Sequence, residues 1–221
     1  MVARLGDPPA RLPADPPTWT WAGRALVRVY HEHPSRDGMA YRTYGPTGRF
    51  DPHVRGRRHR ARVDPTGRGV LYLAADLGTA LAEAYPGQWP EVAICPHTRA
   101  AWVRPSARVR VLDLTASGAI AIGAVGTFAW GDEPRTRTQR WGRRIYEQYE
   151  RLDGIRYRAV HQGGESFALW ERAAPTLPAS GGDRRLWAVW SRVVVALANQ
   201  RRLPRRISAS DCRRCQVDGH A

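Results

Sequence analysis

Two neighbouring blocks of the chain decide its predicted fold: GPTGRFDP (residues 45–52) and GVLYLAADLGTALAEAY (residues 69–85). The first block predicts a loop, because its two glycines permit close backbone approach and its two prolines stiffen the chain. The second predicts a buried strand over residues 70–74, followed by a short helix with Asp76 as its N-cap. Three side chains stand out in this loop, strand and helix: Arg49, Tyr72 and Glu83.

Each of the charged candidates has an ordinary structural interpretation beside the functional one. Arg49 in a stiff loop is held in place, but a salt-bridged surface arginine fits the same pattern. Glu83 lies at the edge of the apolar face of its helix, so its carboxylate faces either water or a cleft. Arg28 lies between Val27 and Val29 in a predicted strand and either faces solvent or lines a cleft.

Outward from these blocks, short strands alternate with amphipathic helices. Strands are predicted over residues 25–30, 91–95, 109–114, 155–159 and 166–172, and an Arg- and Pro-rich connection over 96–108. Helices are predicted over 115–128, 135–152 and 184–200, the second with Trp141, Ile145, Tyr149 and Leu152 on one face. This pattern predicts an α+β fold in which helices flank mixed sheets.

The chain divides into four parts by composition. Residues 1–22 contain five prolines and are predicted to form an irregular arm, with Trp19 and Trp21 holding its end against the body. Residues 23–174 form the domain, and residues 175–200 form a linker and a helix. Residues 201–221 are predicted to be a basic, disordered tail.

The charge balance indicates an anionic partner without identifying it. The 221 residues include 35 Lys and Arg against 20 Asp and Glu, which gives a net charge of +15 and a pI near 11.1. Such a field attracts nucleic acid, a phosphorylated small molecule or an acidic protein. A GC-rich coding background explains an Arg-rich composition equally well. The basic segment 53–68 is the best local candidate for a nucleic-acid patch, but it lacks aromatic residues for base stacking.

Several classes of protein are not indicated. No run of about 18 apolar residues is present, so no membrane span is expected. The N-terminus has no apolar signal region, and a cytoplasmic location is expected. Walker A, GxGxxG, HExxH and GxSxG motifs do not occur. Cys212, Cys215 and His220 resemble half of a zinc site, but the tail supplies no further ligand and we predict no metal site.

Three blocks of the sequence resemble the RES domain family: GRFDP (48–52), GVLYLAADLGTALAEAY (69–85) and DGIRYRAVHQGGESFALWERA (153–173). The resemblance covers residues 26–173. Typical members of this family are toxins of bacterial toxin–antitoxin modules. They resemble ADP-ribosyltransferases in fold, and they degrade NAD by breaking its nicotinamide–ribose bond. The resemblance therefore implies an ADP-ribosyltransferase-like fold, NAD as a substrate rather than a cofactor, an antitoxin partner and a homodimer.

The resemblance also implies site residues. Arg49 matches the family arginine, with Arg62 and Arg68 as rivals, Tyr72 matches the aromatic residue, and Glu83 matches the glutamate. The family serine follows a Tyr-Arg pair, and here that position is Ala159. Ser166, seven positions on, is a candidate to replace it in space.

These residue types suit the implied chemistry. An arginine pairs with a pyrophosphate, and a carboxylate stabilises the positive charge that develops on ribose as an N-glycosidic bond breaks. We therefore predict Arg49 and Glu83 as catalytic residues, and Arg28, Arg49, Tyr72 and Ser166 as substrate-binding residues. The acceptor is water, phosphate or a protein side chain. The alternative is a catalytically weakened RES scaffold or a basic nucleic-acid-binding protein.

Overall fold

The structure, a computed structural model, describes residues 4–32, 48–52, 69–115, 117–126, 128, 133–161, 163–178 and 182–218. Its centre is a mixed eight-stranded sheet in the order β1-β6-β7-β8-β3-β2-β5-β9. These strands are β1 (Thr18–Trp21), β2 (Leu26–His31), β3 (Val70–Ala74), β5 (Thr98–Val103), β6 (Val109–Asp113), β7 (Gly154–Arg158), β8 (Glu165–Trp170) and β9 (Arg184–Arg185). A separate parallel pair joins β4 (Glu91–Ile94) to β10 (Leu203–Arg206).

Five helices flank the sheets in the described part of the chain. They are α1 (Leu77–Ala84), α2 (Gly118–Ala121), α3 (Arg135–Gln148), α4 (Trp190–Ala198) and α5 (Arg213–Asp218). Two 3-10 turns, Glu171–Thr176 and Leu186–Val189, follow β8 and β9. The predicted α+β class, with a mixed sheet and flanking helices, is confirmed. None of the helices in the described ranges is both long and apolar enough to cross a membrane.

Apolar side chains bury both faces of the central sheet. On one face, Trp141 and Ile145 of α3 pack with Phe50, Phe128 and other buried residues. On the opposite face, β1 and β8 contribute Trp21, Phe167 and Leu169 to a second cluster. The residues predicted on the apolar face of α3, Trp141 and Ile145, are therefore the ones that the helix buries against the sheet.

The central sheet is split between β2 and β3. These antiparallel strands share a single register pair, Val27 with Ala74. On their other edges both strands are fully paired, β2 with β5 over six positions and β3 with β8 over five. The two strands therefore separate beyond Val27 and Ala74, which leaves a cleft inside the sheet.

Parts of the predicted element map differ from the structure. The connection 96–108 contains β5, which pairs between β2 and β9 and buries Thr98, Ala100, Ala101 and Val103. The glycine-rich segment 115–128 forms only the four-residue α2, because glycine disfavours longer helices. The predicted helix 184–200 becomes β9, a 3-10 turn and then α4, which begins at Trp190.

The two ends of the chain also differ from their predictions. The arm is not irregular throughout, because its last residues form β1 and pair with β6 through four register positions. The tail is not disordered over its described part: β10 extends the β4 edge in parallel, and α5 follows it. The basic segment 53–68, which holds the rival arginines Arg62 and Arg68, lies outside the described residues, as does His220.

Candidate functional site

A pocket of about 270 Å³ occupies the split between β2 and β3. Helix α1 closes one side of it, and β7 and β8 contribute at its base. The described residues that line the pocket are Val27, Arg28, Val29, Tyr72, Leu73, Ala74, Ala80, Glu83, Ala84, Tyr157 and Ser166. The pocket therefore exists because β2 and β3 pair at only one position.

Four of the predicted site residues meet in this pocket. Arg28 comes from β2, Tyr72 from β3, Glu83 from α1 and Ser166 from β8. Arg28, Tyr72 and Glu83 are partly buried, whereas Ser166 is buried. Of the two interpretations left open for Arg28 and Glu83, the structure favours the cleft.

Glu83 is positioned by a well-capped helix. The Asp76 side chain accepts hydrogen bonds from the backbone N–H and the hydroxyl of Thr79, at 2.8 Å each. This cap begins α1 where the predicted N-cap lies, and it satisfies an N–H that the helix leaves unpaired. At the other end of α1, the backbone N–H of His161 lies 3.4 Å from Glu83 Oε1. The carboxylate is thereby held between α1 and the β7–β8 turn.

Tyr157 is a pocket residue that the sequence did not single out. It is 5% exposed, and it pairs with Ser166 across β7 and β8. Burial raises the pKa of Tyr157 well above its usual value and the Glu83 carboxylate raises it further, whereas the hydrogen bond with Ser166 and the charge of Arg49 oppose the shift. Tyr157 therefore remains a neutral hydroxyl beside Glu83. The available signal was its place in the Tyr-Arg pair before Ala159.

Arg49 lies beside the pocket but is not one of the residues that line it. Its charge lowers the pKa of Tyr157, one of the residues that line the pocket. The loop that carries it is fixed by Tyr72, whose hydroxyl accepts from the Phe50 N–H at 2.9 Å and donates to Asp51 Oδ1 at 3.2 Å. The Tyr72 ring lines the pocket while its hydroxyl positions the arginine loop.

Two further contacts fix the same loop against α3. Gln139 Nε2 donates to the Gly48 carbonyl at 2.9 Å. A Cβ at Gly142 would lie 2.8 Å from the Phe50 carbonyl oxygen, so the absence of a side chain there lets the loop approach the helix. A Cβ at Gly48 would lie 2.0 Å from the Tyr72 hydroxyl oxygen. Residues 48–50 are thus packed closely against α3 on one side and against Tyr72 on the other.

Ala159, at the position of the family serine, is buried at 1% exposure and does not line the pocket. Its backbone N–H donates to the Gly164 carbonyl, and its carbonyl accepts from the Gly163 N–H. These bonds close the turn between β7 and β8, which brings Ser166 to the pocket. Within the part of the chain that the structure describes, Ser166 is therefore the serine whose hydroxyl lines the pocket.

Asp51 makes folding stability depend on pH. Its carboxyl group is fully buried, and burial raises its pKa from 3.8 to about 7 against the hydrogen bonds from Gly48 and Tyr72. The folded state binds this proton more tightly than the unfolded state does. The protonated carboxyl group therefore adds most to the free energy of unfolding below the unfolded pKa, and this contribution is lost as the pH rises towards 7.

We expect the Asp51→Asn variant to lack this pH dependence. Relative to the variant, the wild type loses on the order of 4 kcal/mol of unfolding free energy as the pH rises through the window between the two pKa values. Urea denaturation of both proteins at pH about 3 and about 8, on either side of the two pKa values, measures the difference. Parallel pH profiles for the two proteins would contradict the buried, protonated carboxyl.

A comparison with protein-family models agrees with the sequence resemblance. The model of the RES domain matches residues 25–191 of this chain. The crystal structure of the M. tuberculosis MbcT–MbcA toxin–antitoxin complex is similar, with 17% sequence identity and a TM-score of 0.49. The alignment covers 76% of this chain and 83% of that chain. No curated protein sequence matches the chain significantly. Because the family model spans most of its length, the chain belongs to the RES domain family.

Proposed function

We propose that this protein is a toxin-type enzyme that degrades NAD by breaking the bond between nicotinamide and ribose. The observation that supports this most is the meeting of Arg28, Glu83 and Ser166, from three separate elements, in the cleft between β2 and β3. The family resemblance attaches Arg49 and Glu83 to NAD chemistry, and Arg28 and Ser166 add a guanidinium group and a hydroxyl to the pocket that holds Glu83. The pocket adds the geometry, because its polar side chains converge on one small volume.

Glu83 is the residue that stabilises the positively charged transition state. In NAD the nicotinamide ring carries a positive charge, and it leaves as a neutral molecule when the bonding electron pair moves to its nitrogen. The ribose then carries the positive charge at C1′, which a nearby carboxylate stabilises. Glu83 is partly buried, and the reduced solvent screening in the pocket strengthens this interaction. The leaving group needs no proton, so the reaction does not require a general acid.

The two arginines are suited to the phosphates. A guanidinium group forms paired hydrogen bonds with phosphate oxygens. Arg28 lines the pocket and Arg49 lies beside it, so the pyrophosphate is expected to lie across the side of the cleft next to the 48–52 loop. The net charge of +15 attracts the negatively charged pyrophosphate group of NAD from solution.

The pocket volume indicates which part of NAD lies inside the pocket. About 270 Å³ accommodates the nicotinamide riboside half of NAD rather than the whole dinucleotide. The ring of Tyr72 lines this space and is immobilised by its hydroxyl bonds, which suits stacking on nicotinamide. The acceptor that attacks C1′ is water or phosphate. With water, its oxygen bonds to C1′ and one proton is released, giving ADP-ribose and nicotinamide.

The same proposal includes a protein that blocks the reaction. A toxin of this kind depletes a cofactor that its own cell needs, so an antitoxin has to cover or distort the cleft until the toxin is released. Production of this chain alone is therefore expected to arrest growth, and co-production of the antitoxin to restore it.

Purified protein incubated with NAD tests the proposal directly. Nicotinamide and ADP-ribose, or ADP-ribose phosphate when phosphate is present, are expected to appear in equal amounts, as separated and quantified by chromatography. Absence of nicotinamide release by folded protein, with and without phosphate, would overturn the enzymatic function. Binding of NAD without turnover would instead indicate a weakened scaffold in which Ala159 has cost the activity.

Ser166→Ala is expected to lower kcat/KM for NAD by about 2- to 12-fold, which corresponds to the loss of one hydrogen bond of about 0.5–1.5 kcal/mol. The reason is that Ser166 places a buried serine hydroxyl in the pocket, on β8 directly opposite Tyr157 of β7. Steady-state kinetics measure the effect. Ser106→Ala, which removes an exposed hydroxyl bonded to the Thr176 carbonyl, serves as the matched control. Equal kinetics for both variants would exclude Ser166 from the site.

A further inference from the structure

A second cluster of reactive side chains lies outside the pocket. It consists of His31 at the end of β2, Cys95 directly after β4, and Cys212 and Cys215 in the C-terminal segment. Their ligand atoms all lie within 4.8 Å of one another. The chain has three cysteines, and all three are in this cluster as free thiols. The sequence alone offered Cys212, Cys215 and His220, whereas the fold supplies His31 and Cys95.

The distances in the cluster match those around a tetrahedral zinc ion. Zinc binds sulfur at about 2.3 Å and histidine nitrogen at about 2.0–2.1 Å, which sets two sulfurs about 3.8 Å apart and sulfur and nitrogen about 3.6 Å apart. Here Cys215 Sγ lies 3.5 Å from Cys95 Sγ and 3.3 Å from His31 Nε2. Cys212 Sγ lies 3.9 Å from His31 Nε2. Adjustments of a few tenths of an ångström would bring these three distances to the values expected around one zinc ion.

The surroundings supply the second layer of contacts that metal thiolates have. Cys95 and Cys215 are buried, and His31 and Cys212 are partly buried. The Thr98 hydroxyl lies 3.4 Å from Cys95 Sγ and accepts a hydrogen bond of 3.1 Å from the Tyr85 hydroxyl. Thr98 can therefore direct its own proton at the Cys95 sulfur, as outer hydrogen bonds do for metal-bound thiolates.

Charge balance is also compatible with a metal. The three thiols lose their protons when they bind it, and the ion then neutralises most of the negative charge that would otherwise be costly in a buried place. A zinc ion reduces the charge of the cluster to about −1, and the adjacent side chains of Arg213 and Arg214 are both exposed and cationic. A Cys3His set fits zinc among biological metals, because thiolates and imidazole in tetrahedral geometry are its usual ligands.

The fold of the C-terminal segment indicates a structural role for the site. Strand β10 runs parallel to β4, which brings Cys212 and Cys215 to the end of β4 where Cys95 lies. The segment buries few apolar side chains: Leu203 is 62% exposed and Val217 is 78% exposed. Apolar burial alone therefore provides little free energy to hold it. Metal coordination provides the missing attachment, as in small domains that fold around zinc.

We propose that His31, Cys95, Cys212 and Cys215 bind one Zn²⁺ ion in a closed, four-ligand structural site. The ion fixes the segment 203–218 to the ends of β2 and β4. With four protein ligands it has no open position for substrate, so its role is structural. The site is independent of the NAD chemistry proposed for the pocket.

The full-length protein, produced in zinc-supplemented medium and purified without chelator, tests the proposal. One zinc per chain is expected by elemental analysis, and Cys212→Ser/Cys215→Ser is expected to lose it. His97→Ala is the matched control, because the ring of His97 lies 6.3 Å from that of His31, and His97 is not one of the four ligands. This variant is expected to retain one zinc. Thr98→Val is expected to weaken zinc binding by about 10- to 100-fold in a chelator competition.

Cobalt provides a second readout that distinguishes a built site from adventitious binding. Protein reconstituted with Co²⁺ is expected to show the intense visible bands of tetrahedral coordination and a thiolate-to-cobalt charge-transfer band, both lost in the double cysteine variant. Hydrogen exchange of β10 is expected to accelerate after zinc removal. Zinc-free protein that carries a disulfide among these cysteines would overturn the proposal. Zinc bound equally by wild type and the double cysteine variant would overturn it too.

Discussion

Glu83→Gln is expected to lower kcat for nicotinamide release by about 100- to 1,000-fold, the usual cost of removing one electrostatic stabiliser of a charged transition state. Glutamine has nearly the same size and retains the carbonyl oxygen that faces the His161 N–H, at 3.4 Å in the native protein. It lacks the negative charge that ribose requires as nicotinamide leaves. KM for NAD is expected to change little, because the carboxylate acts on the transition state rather than on the bound substrate.

The matched control for this variant is Glu150→Gln, which makes the same chemical change at an exposed position just after α3. That protein is expected to retain wild-type kinetics. Both variants are expected to unfold at the wild-type urea concentration, because Glu83 is only partly buried. If Glu83→Gln retained wild-type kcat in a protein that releases nicotinamide, Glu83 would not be the catalytic carboxylate. The enzymatic function itself would survive that result.

The meeting of the site residues was predictable only in part from the sequence. Arg49, Tyr72 and Glu83 lie in two adjacent blocks, and the capped helix after β3 follows from local signals at Asp76. Whether Glu83 faces a cleft depends on the split between β2 and β3. That split results from pairing between segments that are distant in the sequence. No local pattern encodes that split, so the sequence left open whether Glu83 and Arg28 face water or a cleft.

Two other features escaped sequence analysis for the same physical reason. Tyr72 was predicted as a substrate contact, and its hydroxyl is also hydrogen-bonded to the Phe50 N–H and the Asp51 carboxyl group. These two residues lie about twenty positions earlier in the chain. The second half of the cysteine cluster comes from His31 and Cys95, which are more than one hundred residues from Cys212. Contacts of this sequence separation depend on the completed fold, whereas helix caps and strand periods depend on neighbours.

Phe50→Ala is expected to destabilise the folded protein by about 3–5 kcal/mol, the usual cost of truncating a buried phenylalanine. Phe50 is fully buried, with ring centroids 4.9 Å from Tyr157 and 5.6 Å from Phe128. Domains of this kind have about 5–15 kcal/mol of total stability, so the variant remains folded at low temperature but unfolds at markedly lower urea. Urea denaturation measures the loss.

The same substitution tests whether the loop 48–52 is a rigid support for Arg49. Phe167→Ala is the matched control, because Phe167 is also fully buried but packs with Trp19 and Trp21 on the other face of the sheet. Both variants are expected to lose similar stability. Only Phe50→Ala is expected to raise KM for NAD, by about 10-fold for a weakened phosphate contact of about 1.4 kcal/mol. The reason is that Phe50 follows Arg49 directly and its buried ring packs the loop against Phe128 and Tyr157. If the two variants changed KM equally, the effect would reflect general loosening of the fold, and Arg49 would not depend on this anchor.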